Sequence, residues 1–208
     1  MNKIFFGLIV LFATTLASAS GYQDAVKQQP PRTGTGAIEV EAVFWYGCPF
    51  CYQLEPDVKV LAAGLPADAA LIKVAAPLSP AWATHARVFH VARALGILDK
   101  AHDEIFALVQ SSHGRDLTDV ESMALFFEKY GIPRTKTAAV ANDERVIGLM
   151  RADFERLQSY GLREVPALIV DGRFIVTSRT AGGIDKMTDQ ANELIEKVRQ
   201  ERSEKARS

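Results

Sequence analysis

The stretch IEVEAVFWYGCPFCYQLEPDVKVL, which runs from Ile38 to Leu61, changes its pattern half way along. Up to Tyr46 it begins with apolar–polar alternation and closes as an aromatic run, which predicts a strand whose second half is buried on both faces. After Gly47 the apolar residues recur at helical spacing. Cys48 and Cys51 lie between the two patterns. The sequence therefore predicts a strand, a short turn and a helix that begins at the cysteines.

Prolines and glycines punctuate the predicted helix. Pro49 cannot donate a backbone hydrogen bond, but the first turn of a helix needs no such donor. We expect the helix to run from Phe50 to Leu61, with Gly64 and Pro66 as stop signals. Pro56 lies inside this stretch and predicts a kink.

The two cysteines of the chain are three residues apart, in the run Cys48-Pro49-Phe50-Cys51. A disulfide across so small a loop restricts the unfolded chain little and adds little stability. A zinc site needs about four ligands, and the sequence has no second cysteine pair. The spacing therefore favours redox chemistry over a structural disulfide or a metal site. No cofactor is expected beyond the Cys48–Cys51 disulfide itself.

The histidines give no metal-binding pattern, because His85 and His90 are five residues apart and do not share a helix face. All four histidines, which are His85, His90, His102 and His113, are interpreted as surface or helix-packing residues.

Beyond the first helix, the sequence predicts a strand, a helical block and a hairpin. Asp171-Gly172 is typical of a two-residue hairpin turn. Residues 81–162 have helical patterns that are interrupted by glycine and proline. The predicted strands are Ala70–Ala75, Ala167–Val170 and Arg173–Thr177, and the predicted helices are Trp82–Leu95, Asp99–Val109, a segment from a cap at Asp116 or Thr118 to Tyr130, Asn142–Tyr160 and Ile184–Arg202.

This order of elements predicts an α/β fold. A strand–helix–strand unit with a right-handed crossover gives a parallel pair, and the late hairpin adds antiparallel strands. The arrangement resembles the thioredoxin fold with an inserted helical domain. We expect residues 20–76 and 163–208 to form the thioredoxin-like domain, and residues 77–162 to form the helical insertion.

The first 19 residues have the three parts of a secretory signal peptide. Lys3 supplies a positive charge, Ile4–Leu16 is an uncharged apolar run, and Ala17-Ser18-Ala19 is a small-residue cleavage site. The run is shorter than the about 20 apolar residues of a membrane span. We therefore expect an exported chain cleaved after Ala19, with an uncleaved anchor as the alternative. The net charge of −1 gives no reason to expect a nucleic-acid partner.

The segment Phe44-Trp45-Tyr46-Gly47-Cys48-Pro49-Phe50-Cys51-Tyr52 resembles the active-site segment of the DsbA family of periplasmic thiol–disulfide oxidases. Glu164-Val165-Pro166-Ala167 resembles the cis-proline loop of that family. The resemblance implies a periplasmic protein dithiol oxidase that donates its disulfide, through a mixed disulfide, to unfolded or reduced exported proteins. It further implies re-oxidation by a membrane quinone reductase of the DsbB type, and we expect a monomer.

Two positions depart from the pattern of the family. Phe50 stands where the family usually has a histidine between the cysteines. Ala42 stands where the family often has a buried glutamate, and the neighbouring Glu41 should point to the opposite face of the strand. We therefore expect a weaker oxidant, and slower proton removal from Cys51 or its transfer to water.

The chemistry requires Cys48 at the exposed start of the helix and Cys51 one turn inside. Free N–H groups and a partial positive charge at a helix start favour a thiolate. The dipole supplies up to ~2 kcal/mol, and one pKa unit is ~1.4 kcal/mol, so the dipole alone lowers the pKa by about one unit. A larger drop requires direct hydrogen bonds to sulfur, for which the N–H groups of Phe50 and Cys51 are candidates.

The resemblance assigns substrate binding to the residues around the cysteines. A cis Val165–Pro166 bond leaves the Val165 backbone free to pair with an extended substrate. Trp45, Tyr46 and Phe50, with Ala167, are predicted to form an apolar patch for unfolded chains. Pro49 and Phe50 are predicted to modulate the cysteines.

Four functions remain open at this point. The chain is a general dithiol oxidase, an oxidase restricted to a few clients as Phe50 suggests, a peptide-binding or chaperone-like protein with an incidental disulfide, or an isomerase or reductase. Isomerases of this superfamily usually carry an extra dimerisation domain, for which residues 20–37 are too few.

Overall fold

The computed structural model describes residues 21–113 and 116–208. The predicted signal peptide, residues 1–19, lies outside the described residues and stays a prediction. The strands are β1 Gln23–Asp24, β2 Ile38–Phe44, β3 Ala69–Ala75, β4 Ala167–Val170 and β5 Phe174–Thr177. The helices are α1 Pro49–Gly64, α2 Pro80–Ala94, α3 Leu98–Ser111, α4 Val120–Phe127, α5 Arg134–Ala141, α6 Glu144–Ser159, α7 Ser178–Ala181 and α8 Met187–Arg207.

The strands form one mixed sheet in the order β1-β5-β4-β2-β3. Strand β2 pairs in parallel with β3 over its whole length, and α1 is the crossover between them. On its other side β2 pairs antiparallel with β4, which forms the hairpin with β5. The parallel pair and the late hairpin confirm the predicted thioredoxin-like α/β fold.

The alternation of β2 assigns its side chains to two different faces. Val40 and Ala42 pack with residues of α1 and α8, such as Leu54. Val43 packs on the opposite face with Leu157 of α6. All seven residues of the strand are buried, so both faces are covered along its whole length, whereas the sequence predicts this only for its second half.

Helices α2 to α6 lie between β3 and β4 in the chain, as the predicted helical block does. Their apolar core is continuous with the side chains around the cysteines, since Phe89 and Phe106 belong to the same buried cluster as Tyr46 and Cys51. The exact division of the chain into two domains stays a prediction.

Helices α1 and α4 differ from their predictions. Helix α1 continues through Pro56 and ends at Gly64 rather than at Leu61. Helix α4 is capped by Asp119, whose carboxylate accepts a hydrogen bond from the backbone of Ser122 at 2.8 Å. The predicted caps, Asp116 and Thr118, precede it.

Residues 134–141 form a separate helix, α5, that the sequence pattern does not reveal. Only Thr137 and Ala141 are buried in this helix, so an apolar stripe is almost absent. Strand β1 is a second omission: Gln23–Asp24 is not among the predicted strands, but it pairs antiparallel with β5.

The hairpin turn is built as predicted. Asp171 and Gly172 have φ values of +55° and +63°. The N–H of Arg173 donates to the carbonyl of Val170 at 3.0 Å and closes the turn. Positive φ at both central residues is the geometry that matches the twist of paired strands. Strand β5 begins one residue later than predicted, at Phe174.

None of the helices formed by the described residues is both long enough and apolar enough to cross a membrane.

Glu41 is the centre of a buried charge network on the α6 side of β2. Its side chain is 1% exposed and accepts hydrogen bonds from Arg32 Nε at 2.9 Å, Arg156 Nη2 at 2.7 Å and the Tyr160 hydroxyl at 2.5 Å. Arg32 also donates to Asp153 of α6 at 2.6 Å. The network ties the segment before β2 to the sheet and to α6. Glu41 therefore points away from the cysteines, as predicted.

Replacing Glu41 should destabilise the fold without touching the cysteines. The change Glu41→Gln leaves the largely buried guanidinium group of Arg156 without a counter-charge and leaves Arg32 with Asp153 alone, which costs about 3–5 kcal/mol of the free energy of unfolding. Urea unfolding of the oxidised protein measures this loss. The exposed pair Glu128–Arg134 offers a matched control, since Glu128→Gln should leave the unfolding midpoint unchanged. Equal midpoints for the two variants would contradict the account.

Candidate active site

Cys48 is the N-cap residue of α1. Its backbone is extended, with φ −88° and ψ 114°, and Pro49 occupies the first helical position. In this geometry the side chain of the cap lies over the free N–H groups of the first turn. The N–H of Cys51 donates to Cys48 Sγ at 3.3 Å. The cysteine takes the place that a serine or aspartate cap usually holds.

The two thiols have opposite electrostatic environments. Hydrogen bonds from the Cys51 side chain, and from the backbone N–H groups of Cys51 and Phe50, lower the pKa of Cys48 to about 7 despite its partial burial. Burial, together with the neighbouring Cys48 sulfur, raises the pKa of Cys51 well above its ordinary value. Cys48 is 9% exposed and Cys51 is 3% exposed. These environments favour a thiolate at the outer sulfur and a protonated thiol at the inner one.

The loop before β4 brings a backbone carbonyl to the outer sulfur. Because Val43 pairs with Ala167, the segment that precedes β4 lies beside the turn that follows β2. The Val165–Pro166 peptide bond is cis, as the resemblance implied. Cys48 Sγ lies 3.6 Å from the carbonyl oxygen of Val165. Residues more than 100 positions apart are thus adjacent at the site.

The predicted apolar patch is only partly present. Phe50 is 62% exposed and Tyr52, which follows Cys51, is 45% exposed. The prediction for Tyr46 is wrong, because its side chain is fully buried among the rings of Phe44 and Phe106 and has no surface for a substrate. Ala167 is equally buried, since it is the first residue of β4 inside the sheet.

Trp45 is half-buried and held by two contacts. Its ring stacks on Trp82 at 5.2 Å, and its Nε1–H donates to Nδ1 of His85 at 2.9 Å. The ring also covers Gly47, where an added Cβ would lie 2.3 Å from a ring carbon. The turn before Cys48 therefore requires glycine for steric reasons.

A small cavity behind the cysteines contains a charged pair that the sequence analysis missed. The cavity, of about 10 Å³, is lined by Cys51, Ala42 and Pro166 together with Glu55 and Lys73. Lys73 Nζ donates to Glu55 Oε1. Burial alone would raise the pKa of Glu55, but the neighbouring His102 and Lys73 side chains outweigh it and lower the pKa. An ionised carboxylate thus lies beside Cys51 although β2 supplies only Ala42.

One signal in the sequence could have found Glu55. It lies four residues after Cys51 and therefore on the same face of the helix. Lys73 and His102 have no such signal, because the sheet and α3 bring them to the site from distant parts of the chain. His85, His90 and His102 are buried, and each contacts a polar side chain. The sequence predicts only surface or helix-packing roles for them.

A thioredoxin-like sheet, a CxxC pair at a helix start and an adjacent cis-proline define the class of thiol–disulfide oxidoreductases. Comparison with known proteins identifies the family. The sequence-family model of the DSBA-like thioredoxin domain matches residues 39–193 of this chain. The chain therefore belongs to the DSBA-like thioredoxin domain family and is a thiol–disulfide oxidoreductase.

Individual relatives support this assignment over most of the chain. The thiol:disulfide interchange protein DsbA of Pseudomonas syringae is 30% identical over 194 residues, which cover 93% of this chain and 90% of the relative. DsbA of Azotobacter vinelandii is 33% identical and covers 81% of this chain and 78% of its own length. The crystal structure of Pseudomonas aeruginosa DsbA superposes with a TM-score of 0.82 at 28% identity, covering 88% of this chain and 95% of that one.

Phe50 should make the enzyme a weaker oxidant than a histidine would at this position. Its apolar ring cannot donate a hydrogen bond to Cys48, whereas an imidazole N–H can. Phe50→His should raise the reduction potential by about 30–60 mV, since a hydrogen bond to a charged group is worth about 1.5–3 kcal/mol. Redox titration against glutathione, followed by the fluorescence of Trp45, measures the potential. Tyr52→His places the same ring beyond Cys51 and is the control; no rise for Phe50→His, or an equal rise for both, counts against this role.

Proposed function

We propose that the chain is an exported dithiol oxidase that introduces disulfides into folding proteins. The observation that carries the proposal is the asymmetry of the two thiols. An outer sulfur with a pKa of about 7 forms a stable thiolate, whereas the inner thiol keeps its proton. A reduced state that is stabilised in this way makes the disulfide state oxidising.

The reaction begins with the Cys48–Cys51 disulfide. A substrate thiolate attacks Cys48 Sγ, the S–S bond breaks, and Cys51 leaves and takes up a proton. A second substrate thiolate then attacks the substrate sulfur of the mixed disulfide. This step forms the disulfide of the substrate and releases Cys48 as a thiolate, so the substrate loses two electrons and the enzyme gains them. The low pKa of Cys48 makes it a good leaving group in the second step.

Substrate binding is proposed for the groups that surround the outer sulfur. The Val165 backbone can pair with an extended chain, because it precedes β4 and its carbonyl already lies 3.6 Å from Cys48 Sγ. Pro166 holds this segment beside the sulfur. Trp45 and Phe50 contribute apolar surface, and the exposure of Phe50 supports their contact with unfolded chains.

The periplasm is the proposed location. The pattern of residues 1–19 supports export, and disulfides persist in such an oxidising compartment. A membrane quinone reductase of the DsbB type is the proposed partner for re-oxidation. This assignment is supported by the similarity to DsbA proteins alone.

A client-restricted oxidase is the second candidate. Phe50 and Tyr52 are two exposed aromatic residues that flank Cys51 in the sequence. Such a pair favours clients that carry apolar residues next to the reacting cysteine. A comparison of oxidation rates for reduced clients with and without such residues separates a restricted oxidase from a general one.

Substitution of each cysteine tests the proposed function. Oxidised wild-type protein should oxidise an equimolar amount of a reduced, unfolded client, as measured by the loss of client thiols. Cys48→Ser should abolish this reaction, because no disulfide remains to be attacked. Cys51→Ser, treated with a client activated as an aromatic mixed disulfide, should accumulate a covalent Cys48–client adduct on a non-reducing gel. Client binding that is unchanged in Cys48→Ser, without any oxidation by the wild type, would instead favour a peptide-binding protein.

A further inference from the structure

Glu55 separates the cavity of Cys51 from the protein surface. On its inner side it lines the small cavity with Cys51 and Lys73. On its outer side it lines a groove between α1 and α3, together with Lys59 and Asp103. The groove continues past Asp103 to His102 and Lys73. One carboxylate therefore contacts both the space around the buried thiol and the space open to solvent.

His102 joins Glu55 to a third buried group. Its Nε2 lies 3.3 Å from Glu55 Oε1, and its Nδ1 lies 2.8 Å from the hydroxyl of Tyr46. Nε2 makes no well-aligned hydrogen bond with any described residue. Glu55 is therefore the polar group that this nitrogen faces.

The tautomer of His102 follows from its two neighbours. A carboxylate only accepts hydrogen bonds, so Nε2 carries the proton where it faces Glu55. Nδ1 is then the acceptor, and the Tyr46 hydroxyl donates to it. Burial raises the pKa of Tyr46 well above its ordinary value, so the phenol keeps this proton. The chain of donors runs from Tyr46 through His102 to Glu55.

The charged groups around this chain come from four elements. Helix α1 contributes Glu55 and Lys59, and α3 contributes Asp99 and Asp103, which line the outer groove. Strand β3 contributes Lys73, and α2 contributes Arg93, whose charge acts on Tyr46. Lys59 forms an ion pair with Asp103, with its Nζ 2.5 Å from Asp103 Oδ2. Burial lowers the pKa of His102, so the ring is neutral at pH 7 and faces Glu55 as an N–H donor rather than as a positive charge.

We propose that His102 is a positioning residue that sets Glu55 as the proton acceptor for Cys51 and opens a proton path from the buried thiol to the groove between α1 and α3. This inference rests on the proposed function, because it concerns the step that regenerates the Cys48–Cys51 disulfide. Glu55 of α1 and His102 of α3 then serve the proton removal from Cys51, for which Ala42 of β2 offers no carboxylate.

The step balances as follows. The Cys48 thiolate attacks an external disulfide and releases its first thiolate. The proton of the Cys51 thiol passes to Glu55, directly or across a cavity no larger than one water. The Cys51 thiolate then attacks Cys48 Sγ, the mixed disulfide breaks, and the second external thiolate leaves. The external disulfide gains the two electrons, and the proton leaves Glu55 directly to solvent in the groove between α1 and α3, which Glu55 itself lines.

The reaction of the reduced protein with 5,5′-dithiobis(2-nitrobenzoate) separates the two thiols. The first release of the coloured thiolate reports the attack by Cys48, and the second reports the attack by Cys51. At pH 6.5 the second release should be about ten times slower in His102→Gln than in the wild type. In Glu55→Gln it should be about 100 times slower, which is the low end of the effect of a general base. Both deficits should shrink toward pH 9, where hydroxide replaces the relay, and the first release should keep its wild-type rate.

His90 offers a matched control. It is buried like His102, and its Nε2 lies 2.9 Å from the carboxylate of Asp153, but it is part of the network on the other face of the sheet. His90→Gln should leave the second release and its pH profile unchanged. If His102→Gln does not fold, Tyr46→Phe removes only the far end of the chain and should slow the second release about threefold. The double variant Glu55→Gln/Lys73→Met removes both charges, and its second release should be as slow as that of Glu55→Gln.

The outcomes distinguish the relay from the proposed function. The relay would be overturned if the second release had the same rate and pH profile in the wild type, His102→Gln and Glu55→Gln. The proposed function would still stand if the wild type oxidised its client. A first release typical of an unperturbed thiol, or wild-type protein that oxidises no client, would instead overturn the proposed function.

Discussion

The hydrogen bonds to the sulfur of Cys48 are the interaction on which the chemistry of this protein depends. They exist because a three-residue turn, Trp45-Tyr46-Gly47, leads from the end of β2 to a helix that begins with cysteine and proline. Proline lacks an N–H, so the free donors of the first turn are those of the next residues, and the N–H of Cys51 reaches the sulfur at 3.3 Å. Strand β2 is paired on both sides, with β3 and with β4, and this pairing holds the helix start in place.

The two faces of β2 separate stability from chemistry. Glu41 points to the α6 side and is neutralised there by Arg32 and Arg156. Its neighbour Ala42 points to the α1 side and lines the cavity of Cys51. The carboxylate of that cavity comes from Glu55 of α1 instead. Each face therefore has its own counter-charges, and the network that stabilises the sheet shares no residue with the one beside Cys51.

The sequence predicts those parts of the fold that have a local pattern. The strand before the cysteines, the helix after them and the turn at Asp171-Gly172 all follow from periodicity and turn chemistry. Helix α5 and the two-residue β1 were missed, because neither has a stripe of apolar residues. At the site, the cysteines are visible from their spacing alone. Lys73 and His102 become neighbours of Glu55 only through tertiary packing, and Tyr46 was misplaced because an aromatic run does not indicate which of its rings is buried.

The rate of alkylation of the reduced protein by iodoacetamide, measured between pH 5 and pH 10, tests the central claim most directly. Cys51 is buried and protonated across most of this range, so the rate reports the thiolate of Cys48. The account predicts a rate that falls tenfold per pH unit on the acid side and reaches half its plateau near pH 7. A midpoint at about 8.5, the ordinary value of a cysteine, would show that the helix start does not stabilise the thiolate, and it would contradict the account.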